Sequence, residues 1–182
     1  RLLIGLAFAF AVIWKAALVP DFLDGRFFRI TLLTDPRFED ATVLIGGLSR
    51  GQIRANREAL AAMPEGAVPL DPPAIVETLR LRRLASVSTV GILLLESAVS
   101  IVMLLPSYVP VRVVRHAALL AFCAVTYAFA PVAGFGWLLL AMGLGQCRDE
   151  WKLLRVIYVG MFLLVLFYSE VPWAGLLADL VL

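Results

Sequence analysis

From residue 84 to residue 182 the chain is almost one continuous apolar stretch, broken only by short charged punctuation. A segment of that kind is soluble only in lipid, because its apolar blocks approach the ~20 residues a helix needs to cross ~30 Å of hydrocarbon. Composition agrees: 62% of residues are hydrophobic and the mean hydropathy is +0.92, against roughly 45–50% apolar content in soluble domains. The expected fold is an all-α integral membrane protein, one membrane domain over residues 1–182. The formal net charge of +2 and the lack of a basic run interleaved with aromatics argue against nucleic acid as a partner.

Residues 2–19 make the first candidate span, closed by Pro20-Asp21, with Lys15 about one turn from its end. Residues 20–83 then form a polar insertion whose charges balance, nine arginines against nine acids. This insertion is expected to be helical and extramembrane. Asp35-Pro36 offers an N-cap with proline at N1, Gly46-Gly47 a stop, and Ser49 with Gln52 a capping box for a helix ending near Pro64-Glu65-Gly66. The apolar and aromatic residues from Phe22 to Leu33 suit the headgroup layer or a seat on the bundle. Val68 to Pro73, rich in proline, reads as an extended linker.

Residues 84–105 are the clearest span. Residues 111–146 would measure ~54 Å as one helix, too long for a bilayer even with tilt, and the apolar turn Ala130-Pro131-Val132-Ala133-Gly134-Phe135-Gly136 divides them into spans of about 111–130 and 132–147. A last span covers 153–168, with Trp173 as an interfacial anchor. The bundle therefore has five transmembrane helices, four being the alternative count. With five, Arg1, Arg112, Arg115, Arg148, Lys152 and Arg155 share one face, and the insertion lies on the other with five basic residues near span ends. That near-equality leaves orientation open. A bacterial inner membrane is the expected location. The chain opens at Arg1 inside an apolar helix, as a piece of a longer chain would.

Glu96 falls near the middle of its span, where a charge costs about 2.5–3.5 kcal/mol. Either a neutral, hydrogen-bonded glutamate fixes helix packing, with Ser97, Ser100, Thr126 or Tyr127 as partners, or the carboxyl marks a ligand or proton site. Lys15 is either a snorkelling anchor or a desolvated base. Counting depth from Val19 and Leu84 as ends on one face separates the two groups by ~12 Å, so no direct Lys15–Glu96 pair is expected without tilt or a bridging water or ligand. A lone His116 builds no metal site, and Cys123 and Cys147 have no CxxC spacing, so neither metal nor disulfide is expected. The small residues Gly134, Gly136, Ala141, Gly143 and Gly145 suit close helix packing.

Three pieces of the chain resemble the membrane domain of the vitamin K-dependent gamma-carboxylase and its bacterial HTTM relatives. They are Trp14-Lys15 through Asp24-Gly25, the span Gly91-Ile92-Leu93-Leu94-Leu95-Glu96-Ser97-Ala98, and the helix pair joined near Val132 to Gly136. The resemblance implies Lys15 as a catalytic base acting on a quinone; where the family carries a histidine in the third span, this chain has Phe122-Cys123-Ala124-Val125. The first helix is also similar to the small membrane proteins DoxX and MauE, which implies a redox or quinone-linked setting. No complete catalytic constellation or cofactor motif stands in the residues themselves. The leading expectation is therefore an accessory or structural subunit that packs against lipid and other membrane subunits. A quinone- or lipid-handling membrane enzyme using Lys15 is the alternative, so enzymatic activity stays open.

Overall fold

A computed structural model describes residues 1–61, 74–129 and 134–170, apart from the side chains of Val109 and residues 168–170. Every regular element among them is a helix. In chain order these are α1 (Leu2–Ile13), which continues as a π-helical turn over Trp14–Leu18, α2 (Pro20–Leu23), α3 (Arg26–Thr34), α4 (Glu39–Leu44), α5 (Arg50–Ala61), α6 (Leu79–Leu104), α7 (Val109–Phe129), α8 (Phe135–Leu144) and α9 (Lys152–Glu170). The Pro64–Gly66 stop, the 68–73 linker and the 130–133 part of the apolar turn lie outside the described residues.

Two cores organise the molecule. The larger joins α1, α6, α7, α8 and α9 through Ile4, Phe8, Val99, Met103, Leu119, Phe122, Leu140, Tyr158 and Val165. Phe8 meets Phe122 edge-on at 4.7 Å between centroids, a geometry the ring quadrupoles favour. The glycines in this core are close-packing positions: a Cβ on Gly136 would strike the Tyr127 ring, and one on Gly143 the Tyr158 ring.

The second core holds the insertion to the beginning of α6, through Leu32, Leu33, Phe38, Leu48, Ile53, Leu81, Leu84 and Ala85. Its helices start where the residues direct. Asp35 accepts the Arg37 N–H at 3.0 Å, although the chain then makes a 3₁₀ turn over Pro36–Phe38 before α4. Gly47 takes φ +72° after α4, a conformation that costs a residue with a Cβ. Both halves of the capping box form: Gln52 N–H donates to Ser49 Oγ at 3.3 Å, and Ser49 N–H to Gln52 Oε1 at 2.9 Å. Buried Asn56 then pairs with the Val76 backbone in both directions, each bond 2.8 Å. Phe22 to Leu33 therefore seat on α6, with Phe22, Leu32 and Leu33 buried.

Three expectations shift in detail. α6 begins at Leu79, five residues before the expected span, so its first turns belong to the insertion's core. The 111–146 block does break into two helices, but α8 has ten residues, about 15 Å at 1.5 Å per residue. That is half the depth of a bilayer core. Among the described residues, α6 and the part of α7 from Pro110 to Phe129 are long and apolar enough to cross a membrane, while Leu2–Leu18 and α8 are shorter apolar helices.

Candidate functional site

Antiparallel packing of α1 on α6 brings Lys15 and Glu96 together. Ser100 Oγ donates to the Gly5 carbonyl at 3.0 Å, and Gly5 faces Met103 and Leu104 closely enough that a Cβ would meet them at 2.8–3.1 Å. The facing residue numbers thus sum to 105–109, which places Lys15 opposite residues 90–94. Glu96 is then displaced along the axis by only roughly 3–9 Å. Helical side chains lean toward their own N-terminus, so on antiparallel helices Lys15 leans toward Glu96 and Glu96 toward Lys15. Lys15 Nζ and Glu96 Oε1 form a hydrogen-bonded ion pair.

This overturns the expectation of no direct pair. Val19 and Leu84 do not lie at the same depth; the register is set at the other end of the helices, where Arg1 reaches Leu105 and Ser107. The expectation of a glutamate without a cation in reach falls with it. Lys15 also turns inward instead of snorkelling away from the bundle.

The pair is asymmetric. The Lys15 side chain keeps 25% of its surface exposed and Glu96 only 7%. Nζ also lies 5.7 Å from the centroid of the buried Phe22 ring, close enough for a cation–π attraction. Glu96 Oε2 is buried with no hydrogen-bond partner. Lys15 itself lies in the π turn, the wider winding that often marks a functional position.

Two of the residues expected to partner Glu96 are engaged elsewhere, and a third is unpartnered. Ser100 binds the Gly5 carbonyl, and the Tyr127 hydroxyl accepts the Gly136 N–H at 2.6 Å, tying the end of α7 to the start of α8. Thr126 Oγ1 is buried without a partner. Of Lys15, Glu96, Thr126 and Tyr127, the structure therefore unites Lys15 with Glu96 and leaves Thr126 and Tyr127 outside that contact.

The opposite end of the bundle holds a group that sequence reasoning treated only as surface charge. Arg115 is 6% exposed. Its guanidinium donates to the Val102 carbonyl at 2.6 Å, to the Leu105 carbonyl, to the Pro106 carbonyl at 3.1 Å and to Ser107 Oγ at 3.1 Å. These include carbonyls that the end of α6 leaves without helical partners, and a cation there also suits the helix dipole. Arg1 joins the same knot at 2.9 Å from both Leu105 O and Ser107 Oγ. His116, beside Arg115, places Nδ1 2.9 Å from the Tyr158 hydroxyl and meets Trp151 edge-on. The only sequence signal for this cluster was the adjacency of Arg115 and His116 at a span end.

On the insertion side, Glu77 receives Arg29 through two bonds of 2.6 and 2.9 Å and Arg82 through one of 2.8 Å. Burial alone would push the Glu77 carboxyl up, but the two guanidinium groups outweigh it and hold it below the usual carboxylate range. The described residues contain no group of three or more His, Cys, Asp or Glu side chains able to hold a metal, and Cys123 and Cys147 are free thiols. No protein-family model, curated protein or solved structure matches the chain.

Proposed function

We propose that the chain is a membrane-embedded helical bundle serving as an accessory or structural subunit, with α1, α6, α7, α8 and α9 in the bilayer and the 20–83 insertion capping one face. The observation that carries this reading is the unburied apolar surface of the long helices. Only 28% of the most apolar window of α6 and 33% of that of α7 is buried within the chain, and Leu94, Ile101, Val113 and Val125 are each more than half exposed. A soluble core helix buries its apolar residues; these need lipid or another apolar partner around them. Inside that apolar environment the Lys15–Glu96 pair links α1 to α6. A bacterial inner membrane, with other membrane subunits alongside, is the setting proposed.

The test places single cysteines at the two ends of α6. Arg54→Cys lies on the exposed face of α5 beside the insertion core, and Tyr108→Cys lies in the exposed loop after α6. In sealed native-membrane vesicles an impermeant thiol reagent should label one and spare the other, with the pattern reversed in inverted vesicles. Labelling of both from one side would refute the spanning arrangement. In native gels, migration as an isolated monomer would refute the subunit part.

A second reading, a quinone- or lipid-handling enzyme of the HTTM type, is favoured by the unpartnered Glu96 Oε2 and by Lys15 in its π turn. In that reading the Lys15 amine accepts a proton from a quinol. Lys15→Arg separates the two readings: it preserves a cation for assembly but cannot supply a neutral amine. Unchanged quinone turnover in that variant would eliminate the base.

A further inference from the structure

The Arg1 end of the bundle contains a cleft of about 270 Å³ whose lining includes Arg1, Arg112, Arg115, His116, Arg148 and Trp151. Four arginines thus line one small volume, where like charges repel unless an anion lies between them. The acids of the adjoining loop balance only one of them. Glu150 pairs with Arg148 at 3.1 Å, and Asp149 is taken by Arg155, which is not in the lining, at 2.9 Å.

Helix capping accounts for Arg115 and the cross-link to Leu105 and Ser107 accounts for part of Arg1. It does not account for Arg112, whose one hydrogen bond is a long 3.4 Å contact to the Ser107 carbonyl, and Arg148 is held only by its exposed pair with Glu150. Arg115 and His116 are the buried members of the lining, while Arg112 and Arg148 are more exposed and have donors to spare.

Guanidinium groups in this number match the several acceptor oxygens of a phosphate, which arginine binds in bidentate fashion. The flanks supply a second clue. Leu2, Leu3, Val113, Val114 and Leu153, on the helices that carry Arg1 and Arg112 and at the start of α9, are exposed and apolar. An acyl chain can lie along them while its phosphate sits in the cleft.

We propose that this cleft is a phosphate-binding site and that its occupant is the headgroup of an anionic phospholipid. The lipid assignment rests on the membrane reading above, which the cysteine labelling tests by itself; the phosphate chemistry does not depend on it.

The experiment is native mass spectrometry of the detergent-purified full chain titrated with phosphatidylglycerol, with phosphatidylcholine, and separately with inorganic phosphate. Phosphatidylglycerol should bind at least about tenfold more tightly than phosphatidylcholine, and at one strong site. Replacing Arg112 and Arg148 together by glutamine should weaken phosphatidylglycerol about 25-fold, at roughly fivefold per arginine. Neither side chain is buried, so the variant should keep the helical circular dichroism of the parent. Arg155→Gln, at the same end but outside the cleft, should change affinity less than about twofold if the cleft rather than general surface charge is responsible. Equal binding of the two lipids, or an equal loss in Arg155→Gln, would overturn the site. Inorganic phosphate binding as tightly as phosphatidylglycerol would overturn the lipid as its occupant.

Discussion

Removing one partner of the Lys15–Glu96 pair should cost very different amounts depending on which is removed. In Lys15→Met the stranded group is Glu96, 7% exposed and already short of a partner at Oε2. Breaking a fully buried pair from one side costs about 3–5 kcal/mol, and an unpaired charge near mid-bilayer costs about 2.5–3.5 kcal/mol. A loss of about 3 kcal/mol is therefore expected. In Glu96→Gln the stranded group is Lys15, a quarter exposed, near the end of its helix and on a stem long enough to move its charge outward. The glutamine oxygen also still accepts from Nζ, so about 1 kcal/mol is expected. Replacing both, as Lys15→Met with Glu96→Leu, removes the desolvated charges together and should return stability to within ~1 kcal/mol of the parent. The assay is unfolding in mixed micelles titrated with sodium dodecyl sulfate, read by helicity and by the fluorescence of Trp14 beside Lys15. Equal losses in the two single variants, or single losses that simply add in the double variant, would refute a coupled pair at this depth.

Two further outcomes test other contacts. Because Glu77 is held below its ordinary value of 4.5 by Arg29 and Arg82, its contribution to docking α3 on α6 is complete above that value and lost as pH falls through the lowered one. Hydrogen exchange of α3, corrected for intrinsic rates, should accelerate in acid, and Glu77→Gln should flatten that dependence; an α3 equally protected at pH 6 and pH 3 would count against the clamp. Gly143→Ala should destabilise the α8–α9 contact by about 1–3 kcal/mol through overpacking, because its Cβ meets the Tyr158 ring, whose hydroxyl is tethered to His116. Gly160→Ala has nothing within 4 Å and should be neutral or slightly stabilising, so equal thermal shifts in the two would refute the packing argument.

Local signals in the sequence carried much of the fold. The Ser49–Gln52 box, the Asp35 cap, the Gly47 turn and the break in the 111–146 block are set by short-range chemistry, and each could be read from a few consecutive residues. Relative depth could not. Whether Lys15 meets Glu96 depends on the register of α1 against α6, which is fixed about 15 Å away, at 1.5 Å per residue, by Gly5, Ser100 and the Arg1 contacts. Single-chain periodicity contains no term for that. The same holds for Arg115: its adjacency to His116 was visible, but its use as a cap for the preceding helix needed the path of the 105–108 loop. Asn56 is a similar case, a polar residue on a polar helix that is 1% exposed because it binds the backbone of Val76, twenty positions away.

α6 belongs to both cores, and as 26 residues of unbroken helix it is a strut of about 39 Å. The insertion grips its first turns through Leu81, Leu84 and Ala85, while Arg1 and Arg115 grip the carbonyls at its far end. A tilt of about 5° imposed on one end therefore displaces the other by about 3 Å over that length. Anything that shifts the insertion across the surface is felt among the arginines on the opposite side, and a ligand that tightens the arginine end resists motion of the insertion. The two faces of the molecule share one rigid lever.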